Sequence, residues 1–209
     1  MSFLYESYTD KRYNAWGDYL KHFFQCKVGK VVIDAGFGCP HRDNLRGKGG
    51  CIYCSTEGAA GSINNASLSI EEQINHGKRV MSRKYKAQKF IAYFQNYSNT
   101  FGKLSDMKNV YEEALKQDDI VSLDISTRPD CLNDDIIDYL AELSERTWLW
   151  LELGLQSSND NVLKWLNRNH TYADVVNAVE RLKKKSKKIN IALHLILCMA
   201  GDDGYQNIK

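Results

Sequence analysis

The sequence predicts an α/β fold wound from repeated strand–helix units around a parallel sheet, and two observations carry that expectation. First, five short apolar, partly β-branched runs recur: KVVIDAG from Lys30, KFIAYF from Lys89, DIVSLDIS from Asp119, TWLWLELG from Thr147 and INIALHLIL from Ile189. Second, amphipathic stretches with helical spacing lie between them, over 70–85, 107–116, 133–144 and 172–185. Strand, helix, strand in repetition implies parallel strands joined by right-handed crossovers. Each run is near-continuously apolar, as in strands covered on both faces.

Taken in order, an initial helix over about 13–24 precedes the sheet and packs against it. The first strand runs into GFGCPHRDNLRGKGGCIYCS, a glycine- and arginine-rich loop that holds Cys39, Cys51 and Cys54. In folds of this kind the loops after the strands hold ligands, so this loop falls on the functional face. The third strand ends in STRPDCLNDDIIDYLAEL, where Asn133 caps a helix whose apolar face is Ile136, Ile137, Leu140 and Leu143. The basic run RLKKKSKK, 181–188, reads as a solvated helix end favoured by the helix dipole in preference to an RNA contact. After HLILCMAGDDGYQNIK no further strand follows, and the last residues resemble the start of a helix.

Composition bounds the function. A chain of 209 residues, 43% hydrophobic, is one large domain, or a domain with a small extension, and has material for a core. A net charge of +2 argues neither for nor against a polyanionic partner. No apolar run approaches membrane-spanning length, and MSFLYESYTDKRYNAW lacks the pattern of a signal peptide, so the expected setting is cytoplasmic, with no membrane partner. In a reducing compartment, clustered cysteines point to metal or redox chemistry rather than structural disulfides.

Three cysteines allow two readings. A structural zinc ion needs four ligands; Cys51 and Cys54 make one pair, but Cys39 with His41, separated by Pro40, is a poor second pair. Cys26, Cys131 and Cys198 stand alone and read as small hydrophobes. An iron–sulfur cube held by three thiolates instead leaves one iron open for a ligand that is not protein.

The second reading resembles the radical S-adenosylmethionine enzymes, in particular the group of Elongator subunit 3 and oxygen-independent coproporphyrinogen oxidase. Their common C-x3-C-x2-C spacing is here C-x11-C-x2-C, the longer loop of a bacterial subgroup. The resemblance implies a [4Fe–4S] cluster on Cys39, Cys51 and Cys54, with S-adenosylmethionine completing the fourth iron. It implies cofactor contacts for Tyr53 near the adenine, Gln95 near the methionine amino group, Gln156 at the ribose and Arg168 at the carboxylate. Ser126, in STRPDCL, stands where relatives carry an acid that touches the cofactor, and Cys198 and Ala200 in CMAGDD replace a usual glycine and proline. The implied fold is a partial, incomplete TIM-type barrel of parallel βα units, about five strands present of an expected six. Residues 1–29 would form a helical extension and 30–209 a core whose C-terminal part is missing, leaving an exposed sheet edge.

The implied activity is reductive cleavage of S-adenosylmethionine to a 5′-deoxyadenosyl radical that abstracts hydrogen from a substrate. A wobble-uridine substituent in tRNA is the preferred substrate class, with porphyrin-type small molecules or a non-catalytic zinc- or cluster-binding fragment as alternatives. A flavodoxin or ferredoxin is the expected electron donor. Gly47, Gly49 and Gly50 would let the loop wrap the cube closely. Tyr93, Tyr97 and Arg128 either line the substrate mouth or pack, and His194 reads as a hydrogen-bonded core histidine.

Overall fold

The computed structural model describes residues 12–43, 49–55 and 66–199. Five parallel strands form one sheet in chain order: β1 (Val28–Ile33), β2 (Lys89–Phe94), β3 (Ile120–Thr127), β4 (Trp148–Gln156) and β5 (Asn190–Leu195). All four strand pairs are parallel, and the sheet is consistent with an incomplete TIM-type barrel. Helices α1 (Trp16–Phe24), α2 (Ile70–Tyr85), α3 (Leu104–Leu115), α4 (Asp134–Arg146), α5 (Asp160–Trp165) and α6 (Tyr172–Lys185) complete the described elements.

The helix starts follow from local chemistry. Ser69 and Glu72 form a reciprocal capping box on α2, as Thr171 and Asp174 do on α6. Asn133 caps α4 by accepting from the Ile136 amide at 2.9 Å, as its position before an acidic first turn suggests. Ile136, Ile137, Leu140 and Leu143 are all buried, so the expected face of α4 is the one that packs. Helix α3 begins a turn earlier than the 107–116 expected, because Lys103 at its N-cap supplies no side-chain hydrogen bond and so no sequence signal.

The core lies between the sheet and α2, α3, α4 and α6, where Ile33, Phe94, Met107, Tyr111, Leu123, Leu140, Leu149, Leu151 and Leu182 are almost fully excluded from solvent. Helix α2 approaches β1 so closely that a Cβ on Gly77 would lie 2.3 Å from Val31 Cγ1. Helix α1 instead stacks Trp16, Tyr19 and Phe23 on Trp148, and sets Trp16 edge-on to Trp150. Trp148 and Trp150 alternate along β4 with the helix-facing Leu149 and Leu151, so α1 covers the start of the sheet's inner face.

Burial of both faces does not hold for every strand. β2 and β3 are almost wholly buried, whereas β1 alternates buried with half-buried residues and the second half of β5 is exposed. The two end strands of the order have a neighbour on one side only. Three of the six basic residues in the run at the end of α6 form ion pairs: Arg181 with Asp134, Lys185 with Asp138 and Lys188 with Glu145, all from α4. No helix among the described residues is long and apolar enough to cross a membrane.

Candidate functional site

The carboxyl ends of all five strands converge on one cavity. Its walls include Cys39, Cys51 and Cys54, together with Tyr53, Gln95, Ser126, Gln156 and Arg168. The eight residues singled out in the sequence therefore meet in one place, although 129 positions separate Cys39 from Arg168 in a chain of 209.

Several buried contacts bring the cysteine loop there. Cys39 opens a turn in which its carbonyl accepts from the amides of Arg42 and Asp43, while the Asp43 carboxylate accepts from the Cys39 amide at 3.2 Å. A Cβ on Gly38 would lie 2.3 Å from Asp43 Oδ2, so the glycine leaves the Asp43 carboxylate room to reach the Cys39 amide. Gly49 and Gly50 both hold positive φ, which lets the backbone enter Cys51; Gly47 lies outside the described residues. Asn167 donates to the Gly50 carbonyl at 2.7 Å and Ile52 donates to the Leu166 carbonyl, fastening the second cysteine pair to the segment after α5. Helix α5 escaped the sequence reading because it is only six residues long; its signal is Asn159, whose side chain accepts from the Asn161 amide.

Three guanidinium groups surround the thiols. Arg42 Nη1 lies 3.5 Å from Cys54 Sγ, Arg168 Nη1 lies 3.5 Å from Cys51 Sγ, and Arg128 Nη1 lies 3.9 Å from the same sulfur. Arg128 is 3% exposed and its fork is held by Asp130, so it packs beneath the thiols. Arg168 also donates to the Tyr53 hydroxyl and, through Nε, to His170 Nε2, both at 2.9 Å. Burial and the neighbouring Arg168 and Arg128 push His170 down to about 4, so it is neutral and able to accept. Arg42 and His170 were missed by the sequence reading; the only available signal was their proximity in sequence to Cys39 and Arg168.

Gln156 ends β4 with φ +73°, a conformation costly for a side-chain-bearing residue and common at functional positions. A Cβ on Gly154 would lie 2.9 Å from Gln156 Nε2 and 3.0 Å from Arg168 Nη2. The glycine thus leaves the space these two polar tips occupy. On the far wall, Glu152 gathers Lys30, Tyr93, Ser126 and His194. His194 corrects the expectation of a core histidine: among the described residues its side chain is 46% exposed and lines the cavity.

The comparisons with known proteins agree with this arrangement. Residues 35–203 match the Radical SAM superfamily. The chain belongs to that superfamily. YtqA of Bacillus subtilis (strain 168) is 41% identical over 190 residues, covering 91% of this chain and 58% of that protein. A tRNA-2-methylthio-N(6)-dimethylallyladenosine synthase of Finegoldia magna is 26% identical over 157 residues, 73% of this chain and 33% of the enzyme. Among solved structures, the archaeal Methanocaldococcus infernus Elp3 superposes with a TM-score of 0.52 at 18% identity, over 84% of this chain and 39% of that one, a likeness of fold. The chain thus spans a little under three-fifths of the length of the YtqA relative.

Radical SAM enzymes use a [4Fe–4S] cluster and S-adenosylmethionine, and the donor set here fits those groups. Three thiols share one cavity with cationic hydrogen-bond donors at two of the sulfurs. Three thiolates can bind three irons of a cube and leave the fourth for a ligand that is not protein.

Proposed function

We propose that this chain carries the catalytic core of a radical SAM enzyme, with Cys39, Cys51 and Cys54 as the cluster ligands. The observation that carries the reading is the meeting of those three thiols with Arg168 and Gln156 in a single cavity. When bound, the cluster and S-adenosylmethionine supply a 5′-deoxyadenosyl radical that removes a hydrogen atom from the substrate.

The chain's own residues bind and orient. The Arg168 guanidinium, held by His170, Tyr53 and the Gly154 carbonyl, would offer its charge and its remaining Nη2 hydrogen to the methionine carboxylate. Gln156 would hold the ribose, Tyr53 the adenine and Gln95 the methionine amino group, and Ser126 would touch the cofactor from the same cavity wall. Retention of iron tests the ligand set: after anaerobic reconstitution, Cys54→Ala loses bound iron and sulfide while Cys26→Ala keeps them. Equal iron in the two proteins refutes the assignment.

For the substrate, we favour tRNA and, within it, the substituent at the 5-position of a wobble uridine. Support comes from the Elongator-like motifs and from a relative whose name states a tRNA reaction. A flavodoxin or ferredoxin fits as electron donor. Nucleoside analysis of tRNA from cells lacking the gene tests this: one modified wobble uridine should disappear and its precursor accumulate, and an unchanged nucleoside profile counts against tRNA.

A further inference from the structure

The inner face of the sheet holds a connected polar layer to which every strand contributes. Lys30 comes from β1, Tyr93 from β2, Asp124 and Ser126 from β3, Glu152 from β4 and His194 from β5. The interior of such barrels is ordinarily filled by branched apolar side chains. Two of its ionisable groups, Asp124 and Glu152, are buried, which is costly, and a buried ion pair is weak evidence for stability. The layer therefore calls for a role beyond folding.

Glu152 is the hub, and it is saturated. Its Oε1 accepts from Lys30 Nζ at 2.7 Å, and its Oε2 accepts from the Tyr93 hydroxyl at 2.7 Å, the Ser126 hydroxyl at 3.2 Å and His194 Nε2 at 2.7 Å. Lys30 also pairs with Asp124, whose other carboxylate oxygen is buried without a hydrogen bond. Of the four ionisable members Lys30, Asp124, Glu152 and His194, His194 is the most open to the cavity. With Nε2 held by Glu152, its Nδ1 makes no hydrogen bond among the described residues.

The charges balance in two ways. Lys30 and Glu152 cancel, so the layer is neutral either with His194 protonated and Asp124 ionised or with the proton on Asp124 and His194 neutral. Burial lifts Asp124 to about 7 despite Lys30, and the hydrogen bond to Glu152 raises His194. Near neutral pH the layer accordingly holds one exchangeable proton, and its outlet is the cavity.

We propose that His194 is the general acid–base group on the substrate side of this cavity, exchanging one proton with an N–H or O–H attached to the carbon that loses hydrogen, and that Glu152 is its positioning residue. The reaction it would serve rests on the radical SAM reading. Loss of a hydrogen atom from such a carbon makes the adjacent N–H or O–H proton more acidic. That proton passes to Nδ1; the N–H or O–H bond breaks, its electron pair stays on the heteroatom, and a new Nδ1–H bond forms. The unpaired electron remains on the substrate, the imidazolium is countered by Glu152, and the step consumes no oxidant or reductant. Returning the proton reverses it.

Two measurements on the full chain decide this. In nitrogen-15 NMR of histidine-labelled protein, with His194 assigned by His194→Gln, its ring should titrate above the ordinary 6.5. That titration should move down in Glu152→Gln, with Asp124→Asn, which removes the second carboxylate that raises His194, as a gentler variant should the first unfold. A ring that stays neutral from about pH 6 to 8, or that ignores both substitutions, overturns the proposal. In the second measurement, reconstituted His194→Gln is compared with the unsubstituted chain, and substrate turnover is read per 5′-deoxyadenosine formed. The variant should turn over tRNA from gene-lacking cells at least about a hundredfold more slowly, the low end of acid–base contributions, and with a flattened pH profile. Unchanged turnover and pH profile in His194→Gln overturn the proposal. Absence of 5′-deoxyadenosine from the unsubstituted protein counts against the radical SAM reading alone, and the titration still decides for or against His194.

Discussion

Gly154→Ala separates the cavity's function from the fold's stability. The added Cβ would lie 2.9 Å from Gln156 Nε2 and 3.0 Å from Arg168 Nη2, both too close. Both atoms are the far ends of flexible side chains, so they can give way while the backbone stays. The stability cost should be about 1 kcal/mol, the low end for overpacking. The displaced guanidinium, however, leaves its station beside Cys51 and the Tyr53 hydroxyl. If it thereby loses one charge-assisted hydrogen bond to the methionine carboxylate, about 1.5–3 kcal/mol of binding goes with it. At about 1.4 kcal/mol per factor of ten, affinity for S-adenosylmethionine falls by one to two powers of ten. Equilibrium dialysis of the cofactor against reconstituted protein, beside thermal unfolding of the same samples, reads both quantities. Affinity within twofold of the unsubstituted chain, with the alanine confirmed, would refute the role given to the Gln156–Arg168 pair.

Three further outcomes are expected. Gly77→Ala should destabilise the chain by about 1–3 kcal/mol in denaturant titrations, because its Cβ would strike Val31, and Val31→Ala in the same chain should recover part of that loss. Asp124, lifted to about 7 by burial against an ordinary value near 3.8, binds more protons folded than unfolded between those limits. Its contribution to stability is therefore lost as pH rises from about 4 to 7, so Asp124→Asn should flatten that part of the stability–pH curve, measured by urea unfolding at several pH values. Lys185→Gln with Lys188→Gln removes two exposed pairs to α4, and should change stability by less than about 1 kcal/mol and leave tRNA retention on filters within twofold.

What could be read beforehand, and what could not, follows from range. The bounds of β2, α2 and α6 coincide with the expected segments because period and capping residues are local signals. The candidate residues could be placed together because all of them lie at strand ends or in the connections that follow them, and the carboxyl ends of the strands share one face. The state of His194 was not legible: whether a strand histidine is covered depends on how many strands flank it. The polar layer left a legible trace, since Lys30, Asp124, Glu152 and His194 each interrupt an apolar run. Their mutual pairing depends on strand register, in which Ser126 stands beside Glu152 and Tyr93 beside Asp124, and register is a property of the assembled sheet.

The most direct test of the central claim is formation of 5′-deoxyadenosine. Anaerobically reconstituted protein, given dithionite and S-adenosylmethionine, should release it, as followed by chromatography, and Cys39→Ala, Cys51→Ala and Cys54→Ala should each abolish it. Release that survives any one of the three substitutions, or a fully loaded cluster with no release at all, would contradict the account.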